Sequence, residues 1–147
     1  KTAAYEIWEF FRQESDMHQK ESAYSIEPFF ESQSPLSIFV SVGDGNIISG
    51  IHKGFKDLQS LGWIENLPRL FGIQAQGSAA ITQAFQTGTE QIKPVEAQTL
   101  ADSISVDLPR DGVRAVRAAR ETGGAYLTVS DAEILEAMAE LGLGIVS

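Results

Sequence analysis

The chain predicts an α/β fold, with a mostly parallel sheet in a three-layer αβα arrangement, and three observations predict it. Its strand-like segments are short and almost wholly apolar, as strands covered on both faces are. They alternate with segments whose apolar residues recur every three or four positions. Glycines and capping residues stand at the junctions. Repeated strand–helix units of this kind imply parallel neighbours joined by right-handed crossovers.

The elements follow in order. In 1–13, Ala4, Ile7, Trp8 and Phe11 share one face between acids, which predicts an amphipathic helix. Residues 14–35 turn polar and irregular, with Ser15, Ser22, Ser25, Pro28, Ser32, Ser34 and Pro35, and read as a surface insertion whose Phe29-Phe30 offers one docking point. The apolar run 36–42 is a buried strand, a glycine turn follows, and 47–61 is a helix through Ile48, Ile51, Phe55, Leu58 and Leu61, closed by Gly62. A second strand is expected at 70–75, and a helix at 79–85 with Ser78 as its cap and Thr87-Gly88 as its stop. After Pro94 a brief strand is expected at 104–106. A helix at 109–122 then starts on Pro109 and stops at Gly123-Gly124. Last come a strand at 126–129 and a helix at 130–141, with Ser130 and Glu133 as a capping box and Gly142 as its end.

With 147 residues and 43% apolar content, one domain spanning 1–147 is expected, and its core needs no disulfide or metal staple. There is no cysteine, which removes thiol nucleophiles, disulfide scaffolds and Cys-based metal sites. His18 and His52 alone make a zinc site improbable, so no metal is expected. A net charge of -9 and a pI near 4.6 repel a phosphate backbone, so nucleic acid is not an expected partner. Arg110, Arg114, Arg117 and Arg120 form the densest basic stretch. They read as a solvated helix face rather than an anion site. No apolar run approaches the roughly 20 residues of a membrane span, and no secretory leader opens the chain. The start at Lys1 and the apolar stop at Gly144-Ile145-Val146-Ser147 give the expectation of a chain cut at both ends.

The segment with chemical content is Val40-Ser41-Val42-Gly43-Asp44-Gly45-Asn46-Ile47-Ile48-Ser49-Gly50-Ile51: a strand, a tight turn and the first turn of a helix. Unpaired N–H groups at such a helix start, together with the positive end of its dipole, favour an anion. Spacing alone equally suits a tight turn that binds nothing. The dinucleotide fingerprint fails, because Ile48 stands where the third glycine belongs and the next strand ends Gln74-Ala75-Gln76 with no acid for a ribose. The triphosphate loop fails as well, for want of Gly-Lys-Ser/Thr.

These residues resemble the glycine loop V-G-G-G-G-L-I-S-G that holds the cofactor phosphate in the tryptophan-synthase-β-like, fold type II pyridoxal-phosphate enzymes, with Asp44 and Asn46 in place of two glycines. The V-G-D-G form resembles the threonine synthase branch. So do Leu67-Pro68-Arg69-Leu70-Phe71-Gly72-Ile73-Gln74-Ala75-Gln76-Gly77, Thr99-Leu100-Ala101-Asp102-Ser103-Ile104, and Ala119-Arg120-Glu121-Thr122-Gly123-Gly124 with Val129-Ser130-Asp131-Ala132-Glu133-Ile134-Leu135. The resemblance implies the later half of a fold type II large domain, pyridoxal 5′-phosphate as cofactor, and main-chain donors from Gly43, Asp44, Gly45, Asn46 and Ile47 to its phosphate. It also implies Ser103 near one face of the ring. As partners it implies the rest of the same polypeptide, an amino-acid phosphate substrate and a second copy in a homodimer. The expected compartment is the cytoplasm or a plastid.

The implied activity is threonine synthase, which makes threonine and phosphate from O-phosphohomoserine and water. The family's Schiff-base lysine in S-x-K context has no match here. Of Lys1, Lys20, Lys53, Lys56 and Lys93, the nearest imitation is Lys56 in Gly54-Phe55-Lys56-Asp57. It lacks the flanking Ser and Arg and lies about 15 Å along the helix from the loop. No catalytic residue is therefore expected in this chain, which should be inactive alone. Three alternatives stay open: a threonine/serine dehydratase, which Thr99-Leu100-Ala101-Asp102 also resembles; a non-catalytic module binding a phosphometabolite or a partner protein; and, more weakly, a dinucleotide-binding domain.

Overall fold

The computed structural model describes residues 1–21 and 36–146, with side chains described for 1–13 and 36–142. Helix α1 (Thr2–Glu21) leads into strand β1 (Ser37–Ser41), helix α2 (Asn46–Ser60) and strand β2 (Arg69–Ala75). A 3-10 turn at Gln76–Ser78 then opens α3 (Ala80–Gln86). A second such turn, Asp102–Ile104, precedes α4 (Gly112–Glu121), β3 (Ala125–Val129) and α5 (Asp131–Val146).

The three strands are parallel in the order β1-β2-β3, with Val40 opposite Gly72 and Gly72 opposite Tyr126. Because each crossover is right-handed and each new strand is laid on the same side of the last, the connecting helices collect on one face. The core forms there. Ile48, Phe55 and Leu58 of α2, Leu70 of β2 and Ala115, Val116, Ala118 and Ala119 of α4 are all buried. The alanine stripe lets α4 lie close to the sheet, and Gly72 leaves room for the Tyr126 ring, which a Cβ would meet at 2.1 Å. Of the three layers expected, the described residues build the sheet and one helical layer. On the other sheet face Phe39 stacks on Phe71 at 4.9 Å, and Phe39 stays 63% exposed.

The α/β reading and its parallel sheet hold, and four local expectations are corrected. Helix α1 runs on to Glu21 instead of yielding to a loop at residue 14, since no glycine or proline interrupts 14–21. The rest of the expected insertion, 22–35 with Phe29 and Phe30, lies outside the described residues. Residues 104–106 form no strand, because the segment is held by Ser78 rather than by a neighbouring strand. Ser78 is correspondingly not the cap of α3, whose cap position is Ala79. Gly142 does not end α5, which continues through the apolar residues beyond it to Val146. The capping box at the start of α5 is present: Ser130 N–H donates to Glu133 Oε2 at 2.7 Å and Glu133 N–H donates to Ser130 Oγ at 3.3 Å.

Candidate functional site

The carboxyl end of β1 opens the site. Val42 N–H still donates to the Ile73 carbonyl at 2.8 Å, after which the chain leaves the sheet at Gly43 and enters α2 at Gly45, whose φ is 90°. That left-handed turn is one a β-carbon strains, and it carries no side-chain cap. The helical ladder begins with Ser49 N–H donating to Gly45 C=O at 3.1 Å, so Asn46, Ile47 and Ile48 have no acceptor for their N–H groups within the helix. These donors and the helix dipole address a cavity of about 290 Å³.

The opposite wall of that cavity is Ser103, Ile104 and Val106. Ser78 holds the wall in place: its Oγ accepts the Val106 N–H at 2.9 Å and lies 3.2 Å from the carbonyls of Ile104 and Val106. Gly43 permits the close approach, since a β-carbon there would sit 3.0 Å from Ile104 Cα and 3.2 Å from Val106 Cγ2. From the other side, Thr99 Oγ1 and the Leu100 N–H both donate to the Asp131 carboxylate at the start of α5, the second at 3.0 Å. Gly43, Asp44, Gly45, Asn46, Ile47 and Ser103 are thus brought to one cavity. Ile104, Val106 and the bracing Ser78 and Asp131 are additions. Ile104 and Val106 were visible in the sequence as an apolar pair and Ser78 as a cap, but neither signal named its partner.

Gln74, at the end of β2, is fully buried and serves the frame. Its Oε1 accepts the Thr82 N–H at 2.8 Å and the Thr82 hydroxyl at 3.1 Å, and its Nε2 donates to Val42 C=O at 3.4 Å, just before the cup. Gln76 is exposed.

Among the described residues no lysine lines this cavity. Lys56 turns to a separate cleft of about 660 Å³ between α2 and α4, where its Nζ donates to Glu121 Oε2 at 3.0 Å. There Lys53 and Lys1 bond Asp57 and hold its carboxyl down to about 2. His52 is buried beside them, its Nε2 3.3 Å from Glu121 Oε2 but not aligned for a hydrogen bond; burial lowers its pKa against the attraction of Glu121. The arginine stretch serves α4's packing. Arg117 makes a two-pronged bond to Glu90 at 2.9 and 2.6 Å, and Arg120 reaches the Thr89 carbonyl at 3.2 Å across the Phe85 ring. No group of three or more metal-ligating side chains occurs among the described residues. No helix among them is long and apolar enough to cross a membrane.

Comparisons agree with this geometry. The family model described as pyridoxal-phosphate dependent enzyme matches residues 1–146. A curated threonine synthase of Methanosarcina acetivorans is 36% identical over 132 residues, 86% of this chain and 33% of its own length. Another, from Methanocaldococcus jannaschii, is 37% identical over 120 residues, 81% of this chain and 30% of its own length. The chain therefore spans about a third of the curated relatives it matches. Among solved structures, a bacterial threonine deaminase, from T.th., superposes with a TM-score of 0.51 at 20% identity, over 69% of this chain and 34% of that one, which is a likeness of fold.

Proposed function

The chain belongs to the pyridoxal-phosphate-dependent enzyme family, and from that premise we propose that it is the phosphate-cup segment of a threonine synthase, inactive without the rest of that enzyme. One observation carries the assignment of the site: an uncapped helix start at the carboxyl end of a parallel strand, facing a walled cavity. The residues present fit the phosphate end of the cofactor. Main-chain donors from Gly43 to Ile47 meet the anion, Gly43 keeps the wall close, and the exposed Ser103 hydroxyl stands on the rim where the ring would lie.

When bound, pyridoxal phosphate supplies the electron sink that stabilises a carbanion on an amino-acid substrate. This chain's part is to hold and orient the phosphate group. The Schiff-base lysine and the substrate-binding residues belong elsewhere in the full-length protein, because Lys1, Lys53 and Lys56 line the other cleft and Lys93 lines a groove beside α3. The substrate class, an amino-acid phosphate, rests on the relatives' names and on the threonine synthase form of the loop.

The full-length protein incubated with O-phosphohomoserine should release inorganic phosphate and threonine in equal amounts. Ammonia and a 2-oxo acid from threonine or serine would assign a dehydratase instead. Reduction of the isolated chain with borohydride in the presence of pyridoxal phosphate should leave no stoichiometric lysine adduct, and a specific adduct at Lys56 would overturn the proposal that the lysine lies elsewhere.

A further inference from the structure

Asp44 stands inside the loop, and a carboxylate there would oppose a phosphate if it faced the cavity. It faces the other way. Its Oδ1 accepts the Arg110 N–H at 3.1 Å, and its own carbonyl accepts the Asp111 N–H at 3.0 Å. Asp111 is the cap residue of α4 but makes no side-chain cap bond there; its carboxylate pairs with Arg114 Nε at 2.7 Å. The Asp44 carboxylate thus sits at the positive end of α4, where the helix dipole offsets its charge. The next residue continues the attachment, for a β-carbon on Gly45 would lie 2.8 Å from Ala115 Cβ and 3.1 Å from the Asp111 carbonyl.

From this geometry we infer that Asp44 is a positioning residue for the cofactor phosphate: its side chain and carbonyl fasten the cup loop to the start of α4, fixing the direction of the donors from Gly45 to Ile48. The inference rests on the cup assignment made above and adds a role for a side chain that does not itself touch the ligand. Two helix starts then divide the work. That of α2 receives the phosphate, and that of α4 receives the carboxylate that holds α2's entry in place.

The test uses the full-length protein with Asp44→Ala and Asp44→Asn, measuring equilibrium binding of pyridoxal 5′-phosphate and of pyridoxal, together with the 31P resonance of the bound ester. Asparagine keeps an acceptor for Arg110 N–H and alanine does not. Asp44→Ala should bind the phosphate ester about fivefold more weakly, the effect of one lost hydrogen bond, with a shifted or broadened 31P signal and unchanged affinity for pyridoxal. Asp44→Asn should restore binding to near the parent value. Parent-like binding in Asp44→Ala would overturn the inference, as would equal loss of ester and pyridoxal, or tighter ester binding in both variants, which would make the carboxylate only a repulsive neighbour. If the parent protein itself binds ester and pyridoxal equally, the cup assignment fails, and this inference with it.

Discussion

Helix α2 borders two concave regions, and they differ in kind. Its start forms the cup, about 290 Å³, where main-chain donors have no helical acceptor and described charged side chains turn away. Its flank forms the cleft against α4, about 660 Å³ and lined by lysines, arginines and acids. The cleft is larger and more charged, yet its cations already have partners: Lys1 and Lys53 on Asp57, Lys56 on Glu121, Arg114 on Asp111 and Arg117 on Glu90. What distinguishes a binding site is an unmet donor in a rigid frame, and neither volume nor the number of charges reports that.

The sharpest way to break this contrast is Gly45→Val. Forcing a β-branched residue to φ 90° with its Cβ 2.8 Å from Ala115 should cost about 4 kcal/mol of stability and abolish cofactor retention. Denaturant unfolding and gel filtration of the loaded full-length protein read both, and unchanged retention would mean that the loop is not the cup. Gln74→Leu should come next, at about 2 kcal/mol, since it leaves the N–H and hydroxyl of Thr82 buried without their acceptor. Cofactor affinity should fall with it, because Gln74 also braces Val42 at the lip of the cup.

The cleft should respond to pH instead. Burial depresses the His52 pKa below 6.5, so as pH falls the unfolded chain takes up a proton before the folded one. Stability is therefore undiminished above about pH 6.5 and declines below it. His52→Gln should flatten that decline in melting temperature, and an unchanged slope would locate the acid sensitivity elsewhere. Asp57 acts in a lower window. Its folded value near 2 against 3.8 unfolded gives a contribution present above about pH 4 and lost as pH approaches 2, and Asp57→Asn should remove that part of the acid transition. The smallest effect belongs to Lys56→Ala. Its bond to Glu121 is exposed, so stability should move by about half a kcal/mol or less and cofactor binding not at all. A lost cofactor in Lys56→Ala would erase the distinction between the two regions.

The sequence made the frame legible where a residue's own chemistry dictates its place. Apolar runs gave β1, β2 and β3, the 3.6 period gave α2 and α4, and Gly62 and Gly123 close those helices with φ of 71° and 66°. The turn at Gly43–Gly45 could be recognised because few sequences suit it. Features that depend on a distant partner were not legible. Ser78 has the composition of a cap, and only the fold brings it to Val106, 28 residues away. Ile104 and Val106 have strand propensity but no strand beside them, and so became a wall of the cavity. Gly45 was readable as a loop glycine. That its missing Cβ makes room for α4 emerges only once Ala115 is in place.

The sheet's open face has a consequence for handling the molecule. Phe39 is 63% and Leu127 48% exposed on it, beside Phe71, and a flat apolar surface of this kind in water seeks a cover. Expressed by itself, the chain would be expected to light up an apolar dye while still folded, and to sediment as larger species when concentrated. For anyone wishing to study the cup in isolation, colloidal behaviour sets the first obstacle, ahead of chemistry. Exchanging Phe39 and Leu127 for polar residues is the natural first step in engineering a well-behaved miniature.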